Sequence, residues 1–160
     1  MLRVMVICVG KLKERFYIEA AAEYAKRLGR YCKLEVLELP EQRLSENPSR
    51  AEIERALAKE AELIRGKMPS AACPAALCVE GKLFSSEELA RLMADWTNRG
   101  ESCIVFVIGG SFGLDETLKR EAKVKISMSP MTFPHHLARV MLLEQIYRGF
   151  QIQEGGKYHK

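Results

Sequence analysis

Apolar positions along this chain repeat with two different periods. Residues 2–9 form a near-continuous apolar run, the pattern of a strand buried on both faces. Residues 14–28 switch to helical spacing, with Tyr17, Ala21, Tyr24 and Leu28 on one side and Gly29 as the stop. Lys33–Leu39 alternates as a second strand, ended by Pro40, and residues 41–47 are a polar loop. Ser49 with Glu52 makes a capping box ahead of a helix whose stripe is Ile53, Leu57, Ala61 and Ile64. Residues 75–79 read as a short third strand. A second capping box, Ser85 with Glu88, precedes a helix carrying Leu89, Leu92, Met93 and Trp96, stopped at Asn98-Arg99-Gly100. Cys103–Ile108 is the most apolar strand, Asp115 caps a short helix to about residue 122, and residues 124–128 form a fifth strand. A last helix spans about residues 134–152.

Strands separated mostly by single helices predict an α/β fold: a mostly parallel sheet of five to six strands with helices on both faces. At 160 residues the chain suits one domain, residues 1–160. Ligands in such sheets bind beyond the carboxyl ends of the strands. Those ends are Gly10, Pro40, Glu80-Gly81, Gly109-Gly110 and Ser129-Pro130. The last helix carries Leu137, Val140, Met141, Leu142, Leu143, Ile146, Tyr147 and Phe150 on more than one face, so it needs two apolar neighbours. The sheet supplies one; a second copy of the chain is the simplest second, which predicts a symmetric homodimer.

Charge and cysteine content narrow the chemistry. Net charge is +4, and residues 119–160 carry +5 against −1 for the rest. A basic C-terminal quarter suits a phosphate-rich partner but does not require one. The five cysteines are odd in number and show no C-x-x-C spacing, which reads as buried free thiols in a reducing compartment. The first apolar run is too short to span a membrane, and Lys11 and Lys13 follow it rather than precede it. Neither a signal peptide nor a membrane segment is expected, and the expected location is cytoplasmic. His135 and His136 are adjacent and point about 100° apart on a helix, a poor geometry for sharing a metal, so no metal is expected.

No G-x-G-x-x-G follows the first strand and no P-loop is present. Gly109-Gly-Ser-Phe-Gly113 fits the G-x-S-x-G of a hydrolase nucleophile elbow, which would make Ser111 a nucleophile. The acids that follow it closely, Asp115, Glu116 and Glu121, are badly placed to orient a histidine. The glycines equally suit close backbone approach to a ligand. Leu77, Met128, Met131 and Phe133 offer apolar contact near the same strand ends, and backbone groups at Gly109, Ser129 and Pro130 can read an adenine edge. The same side chains also suit a plain core.

Several blocks carry a resemblance. They are Val4-Met-Val-Ile-Cys-Val-Gly-Lys-Leu-Lys-Glu14, Phe106-Val-Ile-Gly-Gly-Ser-Phe-Gly-Leu114, Met131-Thr-Phe-Pro-His-His-Leu-Ala-Arg-Val140, Glu144-Gln-Ile-Tyr-Arg148 and the Tyr158-His159 tail. Through them the chain resembles, over essentially its full length, the bacterial ribosomal large-subunit methyltransferase H family of the SPOUT superfamily. The resemblance implies a C-terminal trefoil (α/β) knot and S-adenosyl-L-methionine as cofactor. It implies methylation of N3 of a pseudouridine in 23S rRNA on the assembled ribosome, by a homodimer whose active sites are completed by the partner subunit. It places the cofactor on Leu77, Gly109, Met128, Ser129, Pro130, Met131, Thr132 and Phe133. Arg139, Tyr158 and His159 become the catalytic candidates: Arg139 to stabilise the developing imide anion, His159 beside Tyr158 to hold the base or take the proton. Lys119, Lys123, Lys125, Arg148 and Lys157 are the candidate ribosome contacts. Two alternatives are a small serine hydrolase using Ser111 and a ribosome-binding factor without catalysis.

Overall fold

The computed structural model describes residues 1–160. Ten elements alternate along it: β1 (Arg3–Val9), α1 (Arg15–Leu28), β2 (Lys33–Leu39), α2 (Arg50–Lys67), β3 (Cys73–Leu83), α3 (Ser86–Asn98), β4 (Cys103–Ile108), α4 (Glu116–Glu121), β5 (Val124–Ser127) and α5 (His135–Gln153). The sheet has five strands in the order β2-β1-β4-β3-β5, and every pairing is parallel. The upper expectation of six strands is not met.

Period-two alternation divides the sheet into two cores. Val4, Val6, Cys8, Ile104, Phe106 and Ile108 face one side, where Leu28 of α1, Leu89 and Met93 of α3, and Leu142, Leu143 and Ile146 of α5 cover them. Met5, Ile7, Val9, Val105 and Val107 face the other, under Ala61 and Ile64 of α2 and Leu118 of α4. β1 and β4 are central and covered on both faces, which explains their unbroken apolar sequences. Both capping boxes form: Ser49 Oγ accepts from Glu52 N–H at 3.2 Å and Ser85 Oγ from Glu88 N–H at 3.1 Å. Asp115 caps α4 by accepting from the N–H groups of Thr117 and Leu118 at 2.9 and 3.1 Å.

Two elements differ from the sequence pattern. β3 runs through Leu83 rather than ending near Val79, because it leaves β5 at Leu77 and rejoins it at Lys82. Gly81 permits this, since a Cβ there would lie 2.8 Å from the backbone of Lys125 and Ile126. The second neighbour of α5 also lies within the chain. The helix is wedged against α1 and α3, with Tyr31 stacked on Phe150 at 5.6 Å and Gly149 seated against Met93 and Ala90. Leu137, Val140, Met141 and Tyr147 remain only half-buried along one stripe of α5. No helix is long and apolar enough to cross a membrane.

Candidate functional site

A cavity of about 760 Å³ opens at the carboxyl ends of β3, β4 and β5. Its wall includes Leu77, Gly109, Met128, Ser129, Met131, Thr132 and Phe133, so seven of the eight predicted cofactor residues converge there. Pro130 does not line it, although its two sequence neighbours do. Cys78, Leu114, Lys119, His135 and Ala138 also line it without being singled out for it by the sequence pattern, whereas Glu80 and residues 110–113 belong to the strand-end segments that pattern names. The strand-end rule pointed at most of these segments; which individual side chains turn inward depends on packing.

Backbone carries much of the cavity wall. Gly109 ends β4 so close to Gly113 that a Cβ would lie 2.2 Å from the Gly113 carbonyl oxygen. Gly113 turns back with φ of +82° and donates its N–H to the Gly110 carbonyl at 3.0 Å. Glu41, just past β2, clamps this loop from outside by accepting from Ser111 N–H at 3.1 Å. On the other side Ser127 Oγ donates to the Ser129 carbonyl at 3.1 Å, and Ser129 Oγ accepts from Met131 N–H at 3.0 Å. Two short loops, each tied by its own hydrogen bonds, thus present carbonyls, N–H groups and apolar side chains to one space. Half the lining residues are hydrophobic, and the volume accommodates a nucleoside-sized ligand.

Arg139 lies elsewhere. It is 2% exposed, donates to Glu38 Oε2 at 2.5 Å and to the Gly10 carbonyl at 2.9 Å, and does not line the cavity. In the single chain its guanidinium is therefore engaged within the protein, with Glu38 at the end of β2 supplying the counter-charge that a buried cation favours. Glu38 also accepts from Leu12 N–H at 2.9 Å, so the pair fastens the loop after β1 to α5. Burial alone would raise the Glu38 carboxyl, but the hydrogen bonds from Arg139 and Leu12 together bring it below its ordinary value.

His135, one turn before Arg139, does line the cavity. Burial, then the neighbouring His136, lower its pKa from 6.5, which favours the neutral imidazole.

Tyr158 and His159 are not at the chain's own cavity. The tail folds back on α5 and α3: Tyr158 Oη donates to Glu144 at 3.2 Å, Arg148 stacks over the Tyr158 ring, and His159 bridges Arg148 at 3.0 Å and Glu87 at 2.8 Å. Glu144 and Arg148 lie about 9 to 15 Å along α5 beyond cavity-lining Ala138, at 1.5 Å per residue. Burial and the Glu144 carboxylate raise the Tyr158 phenol, which is therefore a donor at neutral pH.

Most of the expected ribosome contacts are already paired. Lys119 is held by Glu80 at 2.5 Å and Glu116 at 3.0 Å, Lys123 by Glu101 at 2.8 Å, and Arg148 by Glu144 at 2.6 Å. Lys125 and Lys157 remain exposed. The elbow reading also lacks its geometry. Ser111 bonds to Glu41 through its backbone N–H, and its hydroxyl has no hydrogen bond to a histidine. No three His, Cys, Asp or Glu side chains gather closely enough to hold a metal ion.

A family model described as predicted SPOUT methyltransferase matches residues 2–159. A protein of Streptococcus suis named ribosomal RNA large subunit methyltransferase H is 45% identical over 159 residues, covering 99% of this chain and 100% of its own length. Proteins of the same name from Leuconostoc citreum and Levilactobacillus brevis are each 44% identical over the same spans.

Proposed function

The chain belongs to the SPOUT methyltransferase family, and from that premise we propose that it methylates N3 of a pseudouridine in 23S rRNA on the assembled ribosome, using S-adenosyl-L-methionine. The observation that carries this reading is the convergence of Leu77, Gly109, Met128, Ser129, Met131, Thr132 and Phe133 on one cavity at the strand ends. These residues come from three separate segments of the chain, around 77, 109 and 128–133, and the resemblance assigns them to the cofactor. Residues 128–134, which run from β5 to α5 along that cavity, are read as part of the C-terminal trefoil knot.

When bound, S-adenosyl-L-methionine supplies a methyl group already activated on a sulfonium. The protein's tasks are then alignment, exclusion of water and management of one proton. Leu77, Met128 and Phe133 would pack against the ligand, and the backbone at Gly109 and Ser129 would read its base. The pseudouridine N3–H is an imide and must lose its proton before or during attack. His159 is the proposed acceptor or its positioning partner, beside Tyr158 as a phenolic donor. Arg139 contributes by holding the loop after β1.

The tail reaches an acceptor through a second copy of the chain. The half-buried stripe of Leu137, Val140 and Met141 is the proposed dimer contact. Antiparallel packing of two α5 helices sets the C-terminal part of one beside the N-terminal turn of the other. The tail of one protomer then lies at the cavity mouth of its partner.

Labelled methyl transfer to ribosomes lacking the modification, with free 23S rRNA in parallel, tests the reading. Ribosome-dependent label on N3 of a pseudouridine is expected. A folded dimer that transfers no label would instead favour a ribosome-binding factor. Efficient methylation of naked rRNA would remove the assembled ribosome from the proposal.

His159→Ala is expected to lower turnover by about 100-fold, the usual scale for a lost proton-transfer group, with cofactor affinity unchanged. His135→Ala serves as the same-chain comparison. If His135→Ala loses turnover and His159→Ala does not, the proton goes to His135.

A further inference from the structure

A second cleft of about 380 Å³ lies beside the cavity, on the α2 side of the sheet. Its polar lining is Glu41, Gln42, Arg43, Ser45 and the buried Glu60, and it shares one wall residue, Phe112, with the cavity. Phe112 is 49% exposed although it stands between two concave sites. An aromatic face left open in that position suits stacking of a planar base.

Free positive charge collects on the same rim. β2, β1 and β4 are neighbours in the sheet, so the loops that follow them begin within about 10 Å of one another. Arg43 follows β2, and Lys11 and Lys13 follow β1. All three are exposed, and none belongs to an ion pair. Glu41 and Glu60 are turned to backbone donors, Glu41 accepting from Ser111 N–H and the buried Glu60 from Gln42 N–H at 2.8 Å, so the phosphate contacts fall to the exposed cations on the rim rather than to the cleft wall. The Arg139–Glu38 pair holds the loop after β1 in place, so Lys11 and Lys13 project from a fixed support.

We propose that this cleft is a nucleotide subsite, in which an unpaired base flanking the methylated one stacks on Phe112 while Arg43, Lys11 and Lys13 contact the RNA phosphates. The proposal rests on the methyltransferase reading, which puts the acceptor base at the neighbouring cavity. It moves the principal RNA contact from the basic C-terminal quarter to the ends of β1 and β2.

Two variants test it, Phe112→Ala and the triple variant Lys11→Ala/Lys13→Ala/Arg43→Ala, with Arg30→Ala/Lys33→Ala at the opposite end of the sheet as control. Each test variant is expected to raise KM for ribosomes about tenfold; the triple variant, whose residues do not line the cavity, should also leave kcat at saturating ribosomes and the Kd for S-adenosyl-L-methionine within twofold. Phe112→Trp should restore KM, because it keeps a stacking face. The triple variant should also flatten the salt dependence of ribosome binding, by about 0.7 to 0.9 in log–log slope for each phosphate it no longer neutralises. Wild-type KM in both test variants, or equal weakening in the control, would overturn the proposal. Cosedimentation with ribosomes reads the same affinities without catalysis. A wild-type protein that transfers no methyl would refute the methyltransferase reading, while cosedimentation still decides the subsite.

Discussion

Gly109→Ala is expected to abolish binding of S-adenosyl-L-methionine and with it methyl transfer. The new Cβ would lie 2.2 Å from the Gly113 carbonyl oxygen and 2.5 Å from its carbon. These are backbone atoms at a tight turn, so no side-chain rotation relieves the overlap. Gly113 must move, and its hydrogen bond to the Gly110 carbonyl and the grip of Glu41 on Ser111 go with it. Overpacking of this kind costs about 1–3 kcal/mol, and here the strain falls on the wall proposed to read the cofactor base. Calorimetric titration should detect at least a hundredfold loss of affinity, with the circular dichroism spectrum retained. Binding within threefold of wild type would show that the 109–113 loop does not form the cofactor wall. Ser111→Ala is the contrast, because its backbone N–H, the group that bonds Glu41, survives the change.

The second large effect is on stability. Arg139→Ala leaves Glu38 without its cation and the Gly10 carbonyl without its donor. Removing one partner of a buried ion pair costs about 3–5 kcal/mol, and the partly exposed Glu38 places this case near the lower end. For a chain of this size the melting temperature should fall by about 6–12 °C. Arg139→Lys keeps the charge but not the fork that spans Glu38 and Gly10, so it should recover only part of the loss. The pH dependence has a definite sign. Glu38 has a lowered pKa in the folded state, so its contribution is present at neutral pH and is lost as pH falls through that lowered value. The stability gap between wild type and Arg139→Ala should therefore narrow below about pH 4. A gap that persists unchanged at pH 3 would mean that the loss comes from packing of the Arg139 stem rather than from the charge pair.

The buried position of Arg139 also shows where sequence reasoning reaches its limit. An arginine inside the block 131–140 suggests a group that faces an acceptor. Nothing nearby in sequence identifies Glu38 as its partner, because the two are 101 residues apart. Glu41 is hidden for the same reason: in the sequence it is one acid in a polar loop, and only the neighbouring ends of β2, β1 and β4 bring it to Ser111. The tail shows a third form of the limit. Gly155-Gly156 suggests reach, yet in one chain Tyr158 and His159 rest on Glu144, Arg148 and Glu87.

Local periodicity is enough to locate five strands and five helices, both serine capping boxes and the Asp115 cap. These features depend on contacts between residues two to four apart, which the order of side chains states directly. The alternation within β1 and β4 likewise implies two covered faces. Strand order, the re-pairing of β3 around Gly81, and the covering of α5 by α1 and α3 are decided only in the folded chain. They arise from close approaches between segments tens of residues apart, and such approaches depend on the shape each segment leaves for the others. The cavity belongs to both levels. Its glycines and methionines are legible as residue types at strand ends, but their convergence requires β3, β4 and β5 to lie side by side.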